Sequence, residues 1–138
     1  VINNVQSHTT SNANSVAQYA SVTALKEGEA FINTLSATFE DRKNFIATKL
    51  DEIGLTYIKP EGAFYVFVDI SHLIGKSLDG VKINGSLDFA KLLLDDGVAA
   101  IPGLPFGDDN FIRLSYAISK DDIELGIYRL EKFINKLN

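Results

Sequence analysis

The sequence contains no cysteine, no methionine, no tryptophan and only three prolines in 138 residues. Without cysteine there are no disulfides, thiolate metal sites or cysteine nucleophiles, in agreement with a reducing compartment. Positive charge is also short, with 13 Lys and Arg against 18 Asp and Glu for a net charge of −5. Phosphate-backbone binding needs clustered Lys and Arg, so no nucleic-acid partner is expected. No apolar run approaches the roughly 20 residues that cross a bilayer. Residues 1–14 are polar and lack the basic-then-apolar order of a signal peptide. No membrane partner is expected, and the reading is a cytoplasmic protein. Glycine motifs of the P-loop or dinucleotide kind are missing. The two histidines, His8 and His72, stand alone in the sequence, with neither metal-ligand spacing nor a relay partner, so no metal is expected.

What is present suits one compact core: 46% of the residues are hydrophobic, enough to fold without staples at this length. The Asn, Ser and Thr of Val1 to Asn14 favour a loop leading into the fold. From Ser15 to Ile53, Phe31, Leu35, Phe39, Ile46, Leu50 and Ile53 fall near helical spacing, and Gly54 supplies a left-handed stop. Gly28 marks either a kink or a break between two helices. Ala63 to Ile70 alternates as a strand, with Phe64, Val66, Val68 and Ile70 on one face and Tyr65 on the other. Ser86 can cap a helix bearing Phe89, Leu92 and Leu93 that Gly97 ends.

Val98 to Ile101 reads as a short buried strand. Phe111 to Ile118 reads as a third, with Ile112, Leu114, Tyr116 and Ile118 opposite Phe111, Arg113 and Ser115. Ser119 and Asp122 have capping-box spacing before a stripe of Ile123, Ile127, Leu130, Ile134 and Leu137. The order predicts an α+β domain: a small, mostly antiparallel sheet covered by helices, with a long N-terminal helix.

Four segments in order resemble the C-terminal third of the aspartate aminotransferase family of fold-type I pyridoxal-phosphate enzymes. They are Gln6-Ser7-His8-Thr9-Thr10-Ser11-Asn12, Pro60-Glu61-Gly62-Ala63-Phe64-Tyr65, Gly97 to Gly103 with Phe106-Gly107, and Phe111-Ile112-Arg113-Leu114-Ser115-Tyr116-Ala117. The resemblance implies that residues 1–25 link to a large domain outside the sequence and that 26–138 form the small C-terminal domain. It implies amino-acid and 2-oxo-acid substrates, aspartate first among them, a homodimeric full-length enzyme, and pyridoxal phosphate as its cofactor. None of the ten lysines lies in the serine-x-x-lysine context that anchors the cofactor in this family. The resemblance therefore places no catalytic residue in this segment, no cofactor on it and no activity in it alone. The start at Val1 without methionine agrees with a segment of a longer protein.

Residue by residue, the resemblance gives Arg113 the substrate α-carboxylate, to which a planar guanidinium fork is suited. The simpler reading is an ion pair with Asp108 or Asp109. Ser11 and Asn12 match a loop that approaches the cofactor phosphate of the neighbouring subunit, or else they cap a helix. Tyr65 faces a possible cleft, and Phe64 is read as core. Asn84-Gly85-Ser86 reads as a turn and cap, and the pairs Asp95-Asp96 and Asp121-Asp122 as helix-end charges. A non-catalytic α+β module that binds a small carboxylate or a protein partner is the rival reading.

Overall fold

The computed structural model describes residues 1–138. Its helices are α1 (Ile2–Thr9), α2 (Ser15–Glu27), α3 (Glu29–Glu52), α4 (Ser86–Asp95) and α5 (Lys120–Asn135). Its strands are β1 (Tyr57–Ile58), β2 (Tyr65–Asp69), β3 (Ser77–Leu78), β4 (Val81–Lys82), β5 (Ile101–Pro102) and β6 (Phe111–Ser115), and 3₁₀ turns occupy Ser71–Leu73 and Leu104–Phe106. The chain divides into two compact units, Val1–Ala37 and Thr38–Asn138.

In the first unit, the loop expected over 1–14 is helical for most of its length. The hydroxyls explain the difference. Ser7 donates to the Asn4 carbonyl, Thr9 to Val5 and Thr10 to Gln6, so these side chains bond back to the preceding turn instead of pulling the backbone out of it. The helix stops where Ser11 takes a φ of 58° and its amide donates to Gln6. Asn14 then starts α2, its side chain accepting the Val16 amide at 2.9 Å. At Gly28 the backbone bonds run on, Gly28 N–H to Ala24 and Ile32 N–H to Gly28, yet the helix breaks there. A Cβ on Gly28 would collide with the Ala24 carbonyl oxygen, so glycine permits the tight junction. Neither α1 nor α2 buries a residue.

The second unit holds a four-stranded antiparallel sheet in the order β1-β2-β6-β5 and a separate β3-β4 hairpin. Alternation sends Val66 and Val68 of β2 and Ile112 and Leu114 of β6 to one buried face. Ile46 and Leu50 of α3, Phe89 and Leu93 of α4, and Ile123, Ile127, Leu130 and Phe133 of α5 join the same core. Helices thus cover one face of a small antiparallel sheet, the expected α+β arrangement. Ser119 caps α5 as its spacing predicts, accepting the Asp122 amide at 3.1 Å and donating to the Asp122 carboxylate at 2.6 Å.

Several expectations are corrected. Phe64 is not core; it is 37% exposed and its ring packs at a tilt against those of Phe39 and Tyr65. The strand begins only at Tyr65, because Ala63 has a φ of 58° and breaks the alternation. The strand expected over Val98 to Ile101 shrinks to β5: Val98 is buried but outside the ladder, and Ile101 is 45% exposed. The Phe111 strand ends at Ser115, leaving Ile118 exposed. The helical stripe of α3 is buried only at Ile46 and Leu50, with Phe31 and Leu35 open to solvent. Ser86 is the first residue of α4 rather than its cap.

Candidate functional site

Arg113 is the central residue of β6, and the buried Ile112 and Leu114 on either side of it fix its side chain to the opposite face. Phe67 of β2 and Ile101 of β5 stand directly across from it. Its guanidinium carbon lies 4.2 Å from the centre of the Tyr65 ring and 4.4 Å from that of Phe106, distances at which ring faces attract a cation. Phe106 also meets the edge of Phe67, which stacks on Phe111 at 4.9 Å with the rings 2° from parallel. The arginine therefore rises from an aromatic floor with two rings against it.

What it lacks is an anion. Arg113 Nε is buried and has no hydrogen-bond partner, and none of the chain's ion pairs includes this residue. The expected structural alternative does not form. Asp108 accepts from the Asn110 amide and side chain at 2.9 and 3.0 Å, and Asp109 accepts from the Ser86 amide and hydroxyl at 2.9 and 2.6 Å. A buried donor left unmade costs about 1–3 kcal/mol, and a guanidinium with both nearby acids engaged elsewhere is suited to an incoming carboxylate. Further along the same face, hydrogen bonds from the Ser71 amide and hydroxyl hold the Asp69 carboxyl below the usual carboxylate range.

The structure brings Tyr65 and Arg113 together and adds Phe106, which sequence reading missed. A signal was available in a single aromatic residue inside the glycine-bracketed stretch Gly103 to Gly107. Ser11 and Asn12 belong to the other unit, Val1–Ala37. The Ser11 hydroxyl donates to the Ser7 carbonyl at 3.3 Å, Asn12 is exposed, and the helix cap is Asn14. Where a turn over Asn84-Gly85-Ser86 was expected, the Asn84 side chain and amide both donate to Asp88 and hold that carboxyl below its ordinary range. Asp96 at the end of α4 is met by Lys136 at 2.7 Å.

The chain belongs to the class I and II aminotransferase family, whose model matches residues 1–130. It is 37% identical over 134 residues to an aspartate aminotransferase of Thermotoga maritima, covering 97% of this chain and 32% of that protein. It is 39% identical over 136 residues to a bifunctional aspartate aminotransferase and glutamate/aspartate-prephenate aminotransferase of Petunia hybrida, covering 94% of this chain and 28% of the relative. Among solved structures, the aspartate aminotransferase of Rhizobium meliloti superposes with a TM-score of 0.89 at 36% identity, over 97% of this chain and 34% of that one. The chain thus spans about a third of the length of the relatives it matches.

The family implies pyridoxal phosphate in the full-length enzyme. A cofactor-anchoring lysine needs a sheltered site, and no lysine of this chain is buried. Arg113, with an unpartnered Nε, has the donors that suit a carboxylate. No helix is long and apolar enough to cross a membrane.

Proposed function

We propose that this chain is the substrate-gripping part of an aminotransferase that moves an amino group between an amino acid and a 2-oxo acid, with aspartate as the amino acid. The observation that carries the reading is the buried, unpartnered Nε of Arg113 beside two aromatic rings. With Tyr65 and Phe106 against the guanidinium, its N–H groups are what it can offer to a carboxylate in its own plane. A carboxylate arriving there lies in the guanidinium plane and accepts two parallel hydrogen bonds. Both its position and its rotation are then fixed, which sets the direction in which the substrate Cα presents its bonds. Such orientation is a large part of what a catalyst supplies.

Pyridoxal phosphate, held by the remainder of the enzyme, would supply the electron sink. Arg113 moves no proton; it binds and orients. Ser11 and Asn12, both exposed, would meet the cofactor phosphate of a neighbouring subunit in a cytoplasmic homodimer, the Ser11 hydroxyl turning from the Ser7 carbonyl. Aspartate as substrate rests on the names of the relatives from Thermotoga maritima and Petunia hybrida. This segment alone would hold no cofactor and transfer no amino group.

A structure of the full-length protein with a non-reactive dicarboxylate, succinate, tests the reading. A carboxylate within hydrogen-bond distance of the Arg113 guanidinium is expected. Succinate bound elsewhere, with Arg113 still unpaired, would refute it.

A further inference from the structure

Ser86 is the one buried polar residue of the chain. Its hydroxyl donates to Asp109 Oδ1 at 2.6 Å and accepts the Leu104 amide at 3.2 Å, and its own amide donates to the same carboxylate oxygen at 2.9 Å. These bonds tie the first turn of α4 to both ends of the segment between β5 and β6. The fit is tight at its edges. A Cβ on Gly85 would strike the Asp109 carboxylate, and one on Gly103 would strike the carbonyl oxygens of Asp108 and Phe111. Leu104, whose amide Ser86 holds, opens the 3₁₀ turn that ends in Phe106. The turn is closed by Phe106 N–H to the Gly103 carbonyl at 2.7 Å.

The placement of the Phe106 ring on Arg113 therefore depends on a hydroxyl 20 residues earlier in the chain. The same bonds dispose of Asp109. Its charge is met by two donors at the N-terminal end of α4, where negative charge is favoured, and is not spent on the arginine four residues further on. Resting on the reading of Arg113 as the carboxylate-binding residue, we propose that Ser86 and Asp109 are positioning residues for it. They hold Phe106 against the guanidinium, so that the arginine meets its ligand in one orientation. Losing the link frees the turn, and the guanidinium must then be ordered by the carboxylate itself, which weakens binding.

The test is a double-mutant cycle in the full-length holoenzyme, read by calorimetric binding of succinate and by steady-state kinetics. Ser86→Ala removes both hydroxyl bonds and should weaken succinate binding and raise the amino-acid KM about tenfold, with kcat within about twofold. Because Ser86 acts through Phe106, the pair Ser86→Ala and Phe106→Ala should bind succinate no more weakly than Phe106→Ala alone. Asp109→Ala should behave like Ser86→Ala in the same cycle.

Unchanged succinate binding in Ser86→Ala, or losses that multiply in the double variant, would overturn the proposal. If neither Ser86→Ala nor Asp109→Ala folds, the pair serves stability alone and the proposal fails likewise. If Arg113→Ala binds succinate as the parent does, the fault lies in the reading of Arg113 and not in the link from Ser86.

Discussion

Replacing Ala63 with glycine should stabilise the protein, although glycine ordinarily destabilises. Ala63 sits at a φ of 58° just before β2, a left-handed conformation in which a Cβ crowds the carbonyl at a cost of about 1–2 kcal/mol. Two bonds from the end of β6 hold the segment there: Tyr116 hydroxyl donates to the Ala63 carbonyl at 3.2 Å, and Tyr116 N–H donates to Phe64 at 2.9 Å. Removing the Cβ relieves the crowding, and the extra freedom of glycine in the unfolded chain takes back about 0.5–1 kcal/mol. A net gain of about 0.5–1 kcal/mol remains, or roughly 2–5 °C in Tm at this size.

Tyr116→Phe tests the other half of the contact. It deletes the hydroxyl bond and leaves a carbonyl without its partner, for a loss of about 1 kcal/mol. Urea unfolding followed by circular dichroism reads both variants and their combination. Because the Tyr116 bond acts on the strained residue, the two effects should couple instead of adding. A destabilised Ala63→Gly, or strict additivity of the two changes, would refute the strain argument.

Two further outcomes concern the sheet and the last helix. The Asp69 carboxyl is held low by the Ser71 amide and hydroxyl, with a smaller contribution from His72. A depressed native value stabilises above the ordinary carboxylate pKa of about 4, and that stabilisation is lost as pH falls through the lowered native value. The stability difference between the parent protein and Asp69→Ala should be constant from pH 5 to 8 and shrink as pH drops below about 4; a difference that grows on acidification would contradict this. Ser119→Ala removes the cap of α5 and should cost about 1 kcal/mol, measured by the shift in urea midpoint, and an unchanged midpoint would exclude the cap.

Strands β2 and β6 were legible because a period of two sorts Val66, Val68, Ile112 and Leu114 from Tyr65, Phe67 and Arg113 without knowledge of any partner. Helix α5 was legible from its capping residues and stripe, although Phe133, fully buried, lay outside the stripe as read. Helix α1 was hidden because its Ser and Thr residues carry a loop signal that back-bonding reverses. The two-residue strands β1, β3 and β4 are too short to show a period.

The site was half legible. Arg113 and Tyr65 could be assigned to one face from alternation alone. Phe106 had only its place between Gly103 and Gly107 as a signal, since its ring reaches Arg113 through a turn anchored by Ser86 and Asp109, and no local pattern encodes that anchor. The Ser86 bonds to Asp109 also remove the ion pair to Asp109 that the sequence left open.

The central claim is that Arg113 holds the substrate carboxylate, and steady-state kinetics of Arg113→Ala in the full-length protein tests it most directly. Truncating one partner of a buried, hydrogen-bonded charge pair costs about 2–5 kcal/mol, so KM for the amino acid should rise by at least about thirtyfold. The absorbance of bound pyridoxal phosphate should stay as it is, because the arginine does not hold the cofactor. An unchanged KM, or a lost cofactor spectrum with an unaltered KM, would contradict the claim.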